Sequence, residues 1–465
     1  MNYSGKQILE AISGNWISGD KNQIFNGVSI DSRTVKTGQL FVCIQGDRFD
    51  GHDFISEVAQ KNVAGIVLSD ETKISSVDSF PFFIKVKDTL KALQGLAEFH
   101  RSQFDLSVLA ITGTNGKSTT KEMTAAVANS QFKVLKTEGN KNNHIGLPLT
   151  LFNLNADHEV AVLEMGMSAK GEIKLLAEIA KPKVGIITNI SEGHLESLPT
   201  IKDVQEAKGE LFESLQKEGT AIINADDPLV LELSQSLRSK VVTYGINNSA
   251  DIQADNVKQR GNEGFDFTLS FFNEKTPVFL PFLGACNISN ALAAIAAGHV
   301  LGLSSQTILS GLKNCQLMPQ RMQTQQKGDI TIINDAYNAN PKSMEEALNA
   351  LSQYQTSGKK FFVMGDMLEL GTRAEQAHKQ FGEQFLNGSI DSLVTVGPLS
   401  QLAAQTAKDS GLDENRVASF NDKEEAAQFL FKKLQSDDCM LIKGSRGMQM
   451  ERILDSLSKL MKWPA

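Results

Sequence analysis

Short apolar runs recur along this chain and alternate with longer stretches whose residues favour helix. In the central part these runs are Ser107–Thr112, Val160–Glu164, Val184–Ile190 and Thr220–Ala225. Strands that alternate with helices form βαβ units, and such units build mainly parallel sheets. The alternation therefore predicts an α/β fold with a mainly parallel sheet in this part of the chain.

Changes in this rhythm divide the 465 residues into three predicted domains. The first, 1–103, is a mixed segment that ends in a predicted helix, Thr89 to about Ser102. The second, 104–317, carries the central alternation, and the third, 318–465, restarts it with a predicted sheet of its own. Further strands are predicted at Leu40–Ile44, Ala64–Ser69, Ile330–Tyr337, Lys360–Asp366, Ser392–Gly397 and Cys439–Gly444, with a β-rich excursion at Asp251–Leu283 and a helical pattern at Asn287–Gly302.

The composition limits the partners and the compartment. Hydrophobic residues make up 41% and charged residues 22%, as in ordinary globular proteins. The formal net charge of −8 argues against nucleic-acid binding, which needs an excess of Lys and Arg. The four cysteines show no CxxC spacing, which favours a reducing compartment over a disulfide framework or zinc site. With no targeting or bilayer-spanning segment visible, the sequence predicts a cytoplasmic protein without membrane insertion.

The segment Ile111–Thr119, ITGTNGKST, carries the strongest local signal for a ligand. A strand, a glycine-rich loop and a Lys-Ser pair that opens a helix are the parts of a phosphate site. Gly113 and Gly116 let the backbone approach a phosphate closely. Lys117 supplies positive charge, and Ser118 offers a hydroxyl to Mg²⁺. The segment departs from the full GxxxxGK[ST] pattern, because Ile111 occupies the place of the first Gly.

Three further residues are candidates for the same site. Glu164 ends a predicted strand and His194 follows another, and the carboxyl ends of parallel strands meet at one ligand crevice. The two side chains could therefore bind a metal near the phosphates. Each also has an ordinary alternative as a solvated or core residue. For Lys208, on a predicted charged helix, the spacing alone favours a solvated lysine.

Four motifs, GTNGKST, EMGMSAKGE, NISEGHLE and EAKGELF, occur in this order, and the chain thereby resembles the Mur ligases. These are the ATP-dependent amide-bond-forming enzymes of peptidoglycan synthesis. Later segments resemble the branch that joins D-Ala-D-Ala to UDP-N-acetylmuramoyl tripeptide, and DAYNANP is the most discriminating of them. The likeness covers nearly the whole chain and includes Asp31–Arg33, Asp50–Phe54, Asp335–Leu348, Gly365–Gly371 and Lys443–Glu451.

The resemblance implies a fold and an activity. It implies a UDP-binding first domain, a P-loop-type central ATPase domain, and a Rossmann-like third domain that binds D-Ala-D-Ala and closes over ATP. In the implied reaction, ATP phosphorylates the tripeptide carboxylate, the amine of D-Ala-D-Ala attacks the acyl phosphate, and UDP-MurNAc-pentapeptide, ADP and phosphate are released. A monomer is expected, with no nucleic-acid partner.

The resemblance also implies roles for residues of the central domain. Lys117 would contact the ATP phosphates and Ser118 would hold one Mg²⁺. Glu164 and His194 would ligate a second Mg²⁺, together with Lys208 modified to N6-carboxylysine. This role reverses the solvated interpretation of Lys208. The expected ATP-binding set is Gly113, Thr114, Asn115, Gly116, Lys117, Ser118, Thr119, Asn287, Asn290, Arg321 and Asp335.

Within that set, the resemblance places Asn287 and Asn290 near adenine, Arg321 at the phosphates and Asp335 at the ribose. An asparagine at a helix start is alternatively a cap. The expected substrate-binding residues, for most of which ordinary turn chemistry is the alternative, are Asp31, Ser32 and Arg33 for UDP, Asn140 and Asn143 for the UDP-linked substrate, and Asn338, Asn340, Lys443, Ser445 and Arg446 in the third domain.

Two positions depart from the family pattern. Cys286 stands where the family usually has His, and Gln320 stands where Gly is common before Arg321. Two other functions remain open at this point. One is another Mur-type or folylpolyglutamate-type amide ligase, against which DAYNANP argues. The other is a non-catalytic nucleotide-binding regulator. The joint presence of four residues argues against it: Lys117, Glu164, His194 and Lys208.

Overall fold

The computed structural model describes residues 1–74, 82–193, 195–271 and 274–463. Within these ranges the chain forms four β-sheets flanked by helices. The larger sheets are mainly parallel, so the predicted α/β class is confirmed. Each sheet falls inside one of the predicted divisions 1–103, 104–317 and 318–465, which stay predictions as domain bounds. None of the helices in the described part of the chain is long and apolar enough to cross a membrane.

The first division contains two small sheets. Its strands are β1 (Tyr3–Ser4), β2 (Asn15–Gly19), β3 (Ile24–Phe25), β4 (Val28–Ser29), β5 (Leu40–Val42), β6 (Gly65–Leu68) and β7 (Phe82–Lys85). Its α-helices are α1 (Gly5–Ile12), α2 (Ile55–Ala59) and α3 (Thr89–Ser102), with 3-10 turns at Gly51–Phe54 and Glu71–Lys73. A five-stranded sheet has the order β2-β7-β6-β5-β4, and β1 pairs with β3.

The central division contains one nine-stranded sheet. Its strands are β8 (Ser107–Thr112), β9 (Val134–Lys136), β10 (Val160–Glu164), β11 (Val184–Ile187), β12 (Thr220–Asn224), β13 (Lys240–Gly245), β14 (Ile252–Arg260), β15 (Gly264–Phe271) and β16 (Glu274–Leu280). Its helices are α4 (Lys117–Ala128), α5 (Gly146–Leu151), α6 (Glu172–Ala180), α7 (Ile201–Glu213), α8 (Pro228–Ser234), α9 (Cys286–Val300) and α10 (Ser305–Lys313).

The order of this sheet is β16-β15-β14-β13-β12-β11-β8-β10-β9, and apolar cores cover both of its faces. Strands β9 to β14 run parallel, whereas β15 and β16 add an antiparallel edge. The neighbours of β8 are β10 and β11, so the chain winds outwards in both directions from β8. Ligands of open α/β sheets bind at such a switch point, beyond the carboxyl ends of the strands.

The third division contains a six-stranded sheet. Its strands are β17 (Gln323–Lys327), β18 (Ile330–Asp335), β19 (Lys360–Gly365), β20 (Ser392–Val396), β21 (Val417–Phe420) and β22 (Cys439–Lys443). Its α-helices are α11 (Pro341–Gln353), α12 (Ala374–Phe385), α13 (Ser400–Asp409), α14 (Lys423–Lys433) and α15 (Glu451–Met461), with 3-10 turns at Gly371–Arg373, Glu414–Arg416 and Arg446–Met448. The order is β17-β18-β22-β19-β20-β21, parallel except for β17.

The predicted element positions agree closely with this structure. The predicted strands Ser107–Thr112 and Val160–Glu164 and the helix from Thr89 to Ser102 are confirmed. The strand predicted at Val184–Ile190 ends at Ile187 instead, because the next residues leave the sheet to contact the phosphate loop. Short edge strands such as β9 and β17 were not predicted, since their sequences lack the apolar runs of the central strands.

A buried histidine joins the first division to the central sheet. His100 on α3 has no exposed surface, and its Nδ1 accepts a hydrogen bond from the Tyr3 hydroxyl at 2.8 Å. Its Nε2 lies 3.1 Å from the Leu154 carbonyl, so Nε2 carries the proton and the ring is neutral. Burial lowers the pKa of His100 from 6.5 to about 4, although the bond to Leu154 opposes this shift.

We expect this histidine to make the fold sensitive to acid. Below pH 6.5 an unfolded chain protonates His100 whereas the folded chain does not, so stability is lost as the pH falls from about 6.5 to about 4. The loss at the lower limit is about 3 kcal/mol. Urea unfolding at several pH values measures it, and His100→Gln should flatten the slope in this window. An unchanged slope in that variant, with His158→Gln as the control, would contradict the assignment.

Candidate active site

The phosphate-type loop lies between β8 and α4, as the sequence predicts. Gly113 and Gly116 have φ angles of +145° and +79°, which side chains rarely tolerate. A Cβ at Gly113 would collide with the Thr188 hydroxyl, and one at Gly116 would collide with the Asn290 side chain. Helix α4 begins at Lys117, so its free backbone N–H groups and its dipole face the loop. This geometry is a cradle for an anion.

The segment after β11 braces this loop from the neighbouring strand. The Asn189 carbonyl accepts from Thr114 N at 2.9 Å, and its side-chain oxygen accepts from Asn115 N at 3.0 Å. The Thr188 hydroxyl donates to the Asn115 carbonyl at 2.6 Å. Thr188 and Asn189 were missed in the sequence, where they were assigned to a longer strand. Their position at the carboxyl end of a predicted parallel strand was the available signal.

Two lysines converge on one carbonyl oxygen in the loop: Lys208 is buried, and Lys117 is partly buried. Lys117 Nζ donates to Gly113 O at 2.9 Å and to Thr114 O at 3.1 Å, and Lys208 Nζ from α7 donates to Gly113 O at 3.0 Å. Burial and the charge of Lys117 hold the pKa of Lys208 well below its ordinary value. Burial also lowers the pKa of Lys117, with Glu164 opposing and Arg321 reinforcing that shift. Lys208 is therefore a buried functional group and not a solvated lysine.

Glu164 lies beside the loop at the end of β10. In the parallel pairing of β10 with β8, Glu164 is opposite Ile111. This register places Glu164 beside the loop that follows β8. The side chain is 2% exposed, and Oε1 accepts from Asn142 Nδ2 at 2.8 Å. Its Oε2 is buried and has no hydrogen-bond partner among the described residues. A buried carboxylate oxygen in this state fits a ligand for a cation.

The structure describes some, but not all, of the predicted metal ligands. His194 lies outside the described residues. Within the described ranges no group of three or more His, Cys, Asp and Glu side chains is placed to hold a metal. Of the predicted metal ligands, the described residues include Ser118, Glu164 and Lys208, and all three are buried. Asn142 was missed in the sequence, although it lies in the same asparagine-rich loop as Asn140 and Asn143.

Arg321 crosses from the third division to the loop. Its Nη2 donates to the Ser118 hydroxyl at 3.0 Å, and its guanidinium lies 4.0 Å from the centre of the Tyr337 ring. Its Nε is buried without a hydrogen-bond partner in the described part of the chain. A buried and unpaired guanidinium N–H next to a phosphate-type loop fits an anionic oxygen. The expected placement of Arg321 beside the phosphates is supported by this geometry.

Further contacts hold the third division against the loop. The side-chain amides of Asn115 and Asn340 bond reciprocally, at 2.7 and 3.2 Å. In the third division, Lys443 Nζ donates to Asp335 at 2.5 Å and to the Asn338 carbonyl at 3.1 Å. Asp335 also accepts from Met322 N at 3.0 Å. The segment DAYNANP thus connects the phosphate loop with the third sheet.

The two asparagines of α9 lie behind the loop. Asn287 Nδ2 donates to Leu283 O at 2.7 Å, and Asn290 Nδ2 donates to Asn287 Oδ1 at 3.1 Å. The helix cap is Ala285, so neither asparagine is a cap and that alternative is wrong. Cys286 and Glu346 of α11 interact electrostatically, and burial raises the pKa of both groups. The departure from the family's His is therefore accompanied by a carboxyl partner from the third division.

A cavity of about 800 Å³ lies between the central and third divisions. It brings together most of the predicted site residues: Thr114, Asn115, Gly116, Lys117, Thr119, Asn140, Asn143, Glu164, Lys208, Asn287, Asn290, Arg321, Asp335, Asn338, Asn340, Lys443 and Arg446. Ser118 is buried at its edge, and Ser445 is occupied by hydrogen bonds to Leu368 N and Ala339 O.

The predicted UDP residues lie apart from this cavity, in the first division. Arg33 forms a bidentate pair with Asp31, with bonds of 2.9 and 2.7 Å, and this pair lowers the pKa of Asp31 to about 2. Ser32 is buried, and its carbonyl accepts from Lys61 Nζ at 2.5 Å. None of these three residues lines the cavity beside the phosphate loop.

Comparison with known proteins identifies the family to which this chain belongs. Family models match in three parts: "Mur ligase family, catalytic domain" at 24–101, "Mur ligase middle domain" at 111–298, and "Mur ligase, glutamate ligase domain" at 320–446. The UDP-N-acetylmuramoyl-tripeptide–D-alanyl-D-alanine ligase of Bacillus subtilis (strain 168) is 38% identical over 97% of this chain and 97% of its own. The chain belongs to the Mur ligase family.

Solved structures agree with this assignment to the Mur ligases. A MurF crystal structure from Acinetobacter baumannii has a TM-score of 0.90 at 29% identity and covers 99% of both chains. MurF ligase from Thermotoga maritima, in complex with ADP, has a TM-score of 0.83 at 28% identity and covers 94% of this chain and 98% of its own. The three-part architecture of this Mur ligase is therefore that of these relatives.

Proposed function

We propose that this chain joins D-Ala-D-Ala to UDP-N-acetylmuramoyl tripeptide with consumption of ATP. The products are UDP-MurNAc-pentapeptide, ADP and phosphate, in peptidoglycan synthesis. The observation that carries the proposal is the convergence of Lys117, Lys208, Glu164 and Arg321 on one cavity between two divisions. The curated relatives that carry this ligase name match over nearly their whole length.

The reaction needs a carboxylate to be made electrophilic. A carboxylate oxygen of the tripeptide attacks the γ-phosphorus of ATP. A new O–P bond forms, the bond between that phosphorus and the bridging oxygen of ADP breaks, and the products are an acyl phosphate and ADP. The amine of D-Ala-D-Ala then attacks the acyl carbon, phosphate leaves, and the amine proton is released. The first step brings two anions together, and the second develops negative charge on the acyl oxygen. Fixed positive charge and preorganised donors therefore lower both barriers. Lys117, Arg321 and the N-terminus of α4 supply them here.

Two Mg²⁺ ions fit the residues around the loop. Ser118 would hold one ion, and Glu164, with His194 and modified Lys208, would hold the other. The buried Oε2 of Glu164 without a partner among the described residues is the observation that favours a cation here. When bound, the ions would neutralise charge on the phosphoryl oxygens and orient the carboxylate. Lys117 and Arg321 would hold the remaining phosphate oxygens.

Lys208 is proposed to become N6-carboxylysine. Its neutral amine would attack CO₂, so that an N–C bond forms and one proton is released to water. The carbamate would carry a negative charge, whereas an ammonium at the same place repels the cation and Lys117. The burial of Lys208 beside Lys117 supports this change, because burial and the neighbouring positive charge both lower the pKa of the amine.

The remaining predicted residues divide between the substrates. Asp31, Ser32 and Arg33 are proposed to bind the UDP group, and Asn140 and Asn143 the muramoyl peptide. The proposed residues for D-Ala-D-Ala and nucleotide in the third division are Asn338, Asn340, Lys443, Ser445 and Arg446, with Asp335 at the ribose and Asn287 and Asn290 near adenine. We also propose a cytoplasmic monomer without a nucleic-acid partner, and light scattering during gel filtration should give about 50.7 kDa.

Phosphate release from ATP tests the function. UDP-MurNAc-tripeptide, in diaminopimelate and lysine forms, is supplied with and without D-Ala-D-Ala, and the product is identified by mass spectrometry. We expect release that needs both substrates and yields the pentapeptide. A requirement for a different amine would leave the ATP chemistry standing and overturn the substrate assignment. Nucleotide binding without phosphate release, whichever acceptor is supplied, would overturn the assignment of ligase activity.

A further inference from the structure

One fully buried cation near the site has no part in the reaction proposed above. Lys121 lies on α4, one turn after Lys117, and its side chain has no exposed surface. Placing an ammonium in a protein interior is costly unless it is paired and hydrogen-bonded. A hydrophobic side chain of similar size would fill this space at a lower desolvation cost. Packing alone therefore does not explain a lysine at position 121.

Lys121 makes three polar contacts with its ammonium group. Its Nζ donates to the Thr137 carbonyl at 2.6 Å, pairs with Glu122 Oε1 at 3.0 Å and lies 3.7 Å from Met318 Sδ. Thr137 directly follows β9 and opens the loop 137–148, whose last three residues form the start of α5. Met318 lies at the start of the segment that leads to the third division. Lys121 thus ties the phosphate-loop helix to two other elements.

Thr137 connects Lys121 with Glu164, the proposed metal ligand. Its hydroxyl accepts a hydrogen bond from the backbone N–H of Glu164 at 3.0 Å, and its side chain is fully buried. Asn142 lies in the same loop, and its Nδ2 donates to Glu164 Oε1 at 2.8 Å. The Asn142 carbonyl accepts from Gly166 N at 2.8 Å. Glu164 is therefore fixed by the loop at its backbone and at its carboxylate.

We propose that Lys121 is a positioning residue that holds the loop 137–148 and, through Thr137 and Asn142, sets the carboxylate of Glu164 for Mg²⁺. Lys121 touches neither the cavity nor the proposed metal. The proposal rests on the assigned function of Glu164 and deepens it. Partners that orient metal ligands typically contribute 10–100-fold in affinity or activity.

Lys121→Met tests the proposal, since methionine fills the space without donating a hydrogen bond. The Glu122 carboxylate keeps Lys136 Nζ at 2.6 Å, so the change does not leave a buried anion without a partner. Arg101→Met is the matched control. Arg101 is also a buried cation that donates to carbonyls, of Ala180 at 3.1 Å and Phe104 at 2.8 Å, but it lies outside the cavity.

Two measurements separate positioning from general stability. In protein without nucleotide, we expect hydrogen exchange of amides in 137–148 to rise about tenfold in Lys121→Met, the factor for one lost buried hydrogen bond. The Mg²⁺ concentration for half-maximal turnover should rise about 10–100-fold. Arg101→Met should change neither. Equal effects in both variants, or unchanged exchange and Mg²⁺ dependence in Lys121→Met, would overturn the proposal.

A second pair of variants keeps the test decisive if Lys121→Met fails to fold. Thr137→Val removes the hydroxyl that accepts from Glu164 N and keeps the shape, whereas Thr137→Ser keeps the hydroxyl. We expect the Mg²⁺ requirement to rise in the valine variant and to be restored in the serine variant. Identical Mg²⁺ curves for the two would refute the relay. Ligase activity of the protein without substitutions is measured first. If that activity is absent, the proposed function fails, but the hydrogen-exchange measurement still tests whether Lys121 holds the loop.

Discussion

Replacement of Lys208 by alanine is expected to lower turnover by about 10³-fold or more. The variant removes the group proposed to carry a carbamate, and with it a ligand of the second Mg²⁺. Metal stabilisation of a phosphoryl group is worth several kcal/mol, and each 1.36 kcal/mol is tenfold in rate. Added formate or acetate should restore part of the activity, because a small carboxylate can take the place of the carbamate. Initial rates of phosphate release measure both effects.

The matched control for this prediction is Lys202→Ala. Lys202 lies on the same helix, α7, but is exposed and pairs with Glu232 at the surface. Its removal should leave turnover within about twofold, since exposed ion pairs contribute little. Normal activity of Lys208→Ala would exclude the carbamate role. Loss of activity that no short carboxylate relieves would indicate that Lys208 acts as an amine and not as a metal ligand.

Glu164→Gln is expected to reduce turnover by a similar factor, about 10³-fold. Glutamine keeps the size of the side chain and can still accept from Asn142, but it removes the negative charge and the free Oε2. Nucleotide binding measured without Mg²⁺ should be nearly unchanged, because the loop and Lys117 remain. The Mg²⁺ concentration needed for turnover should rise steeply. Rates across a Mg²⁺ titration, together with calorimetric binding of ADP, separate the two effects.

Glu159→Gln serves as its control, because Glu159 directly precedes β10 at the end opposite Glu164. Glu159 is exposed and its carboxylate accepts from Lys133 N at 3.0 Å. The change removes the same charge from the same β10 segment without touching the cavity. Equal Mg²⁺ dependence in Glu159→Gln and Glu164→Gln would show that the charge acts at long range. That outcome would remove Glu164 from the metal site.

Much of the site could be predicted because its chemistry is local in the chain. The phosphate loop is a contiguous strand, glycine-rich turn and helix start, so Gly113, Gly116 and Lys117 can be assigned from neighbouring residues alone. The roles of Lys208 and Arg321 came from the resemblance of their surrounding motifs, because nothing in their own spacing marks them. Thr188, Asn189 and Asn142 were missed, since each acts through a hydrogen bond to a distant segment.

The sequence by itself determined the α/β class, the main central strands and the identity of the phosphate loop, because apolar periodicity and turn residues act over a few neighbours. Only the tertiary structure decided that β10 and β11 flank β8, which places Glu164 and the bracing segment beside the loop. It also decided that Lys121 and Lys208 are buried, although both resemble surface lysines in helical segments. Strand order and burial depend on contacts between residues far apart in the chain, and these contacts set both the cost of each charge and its use.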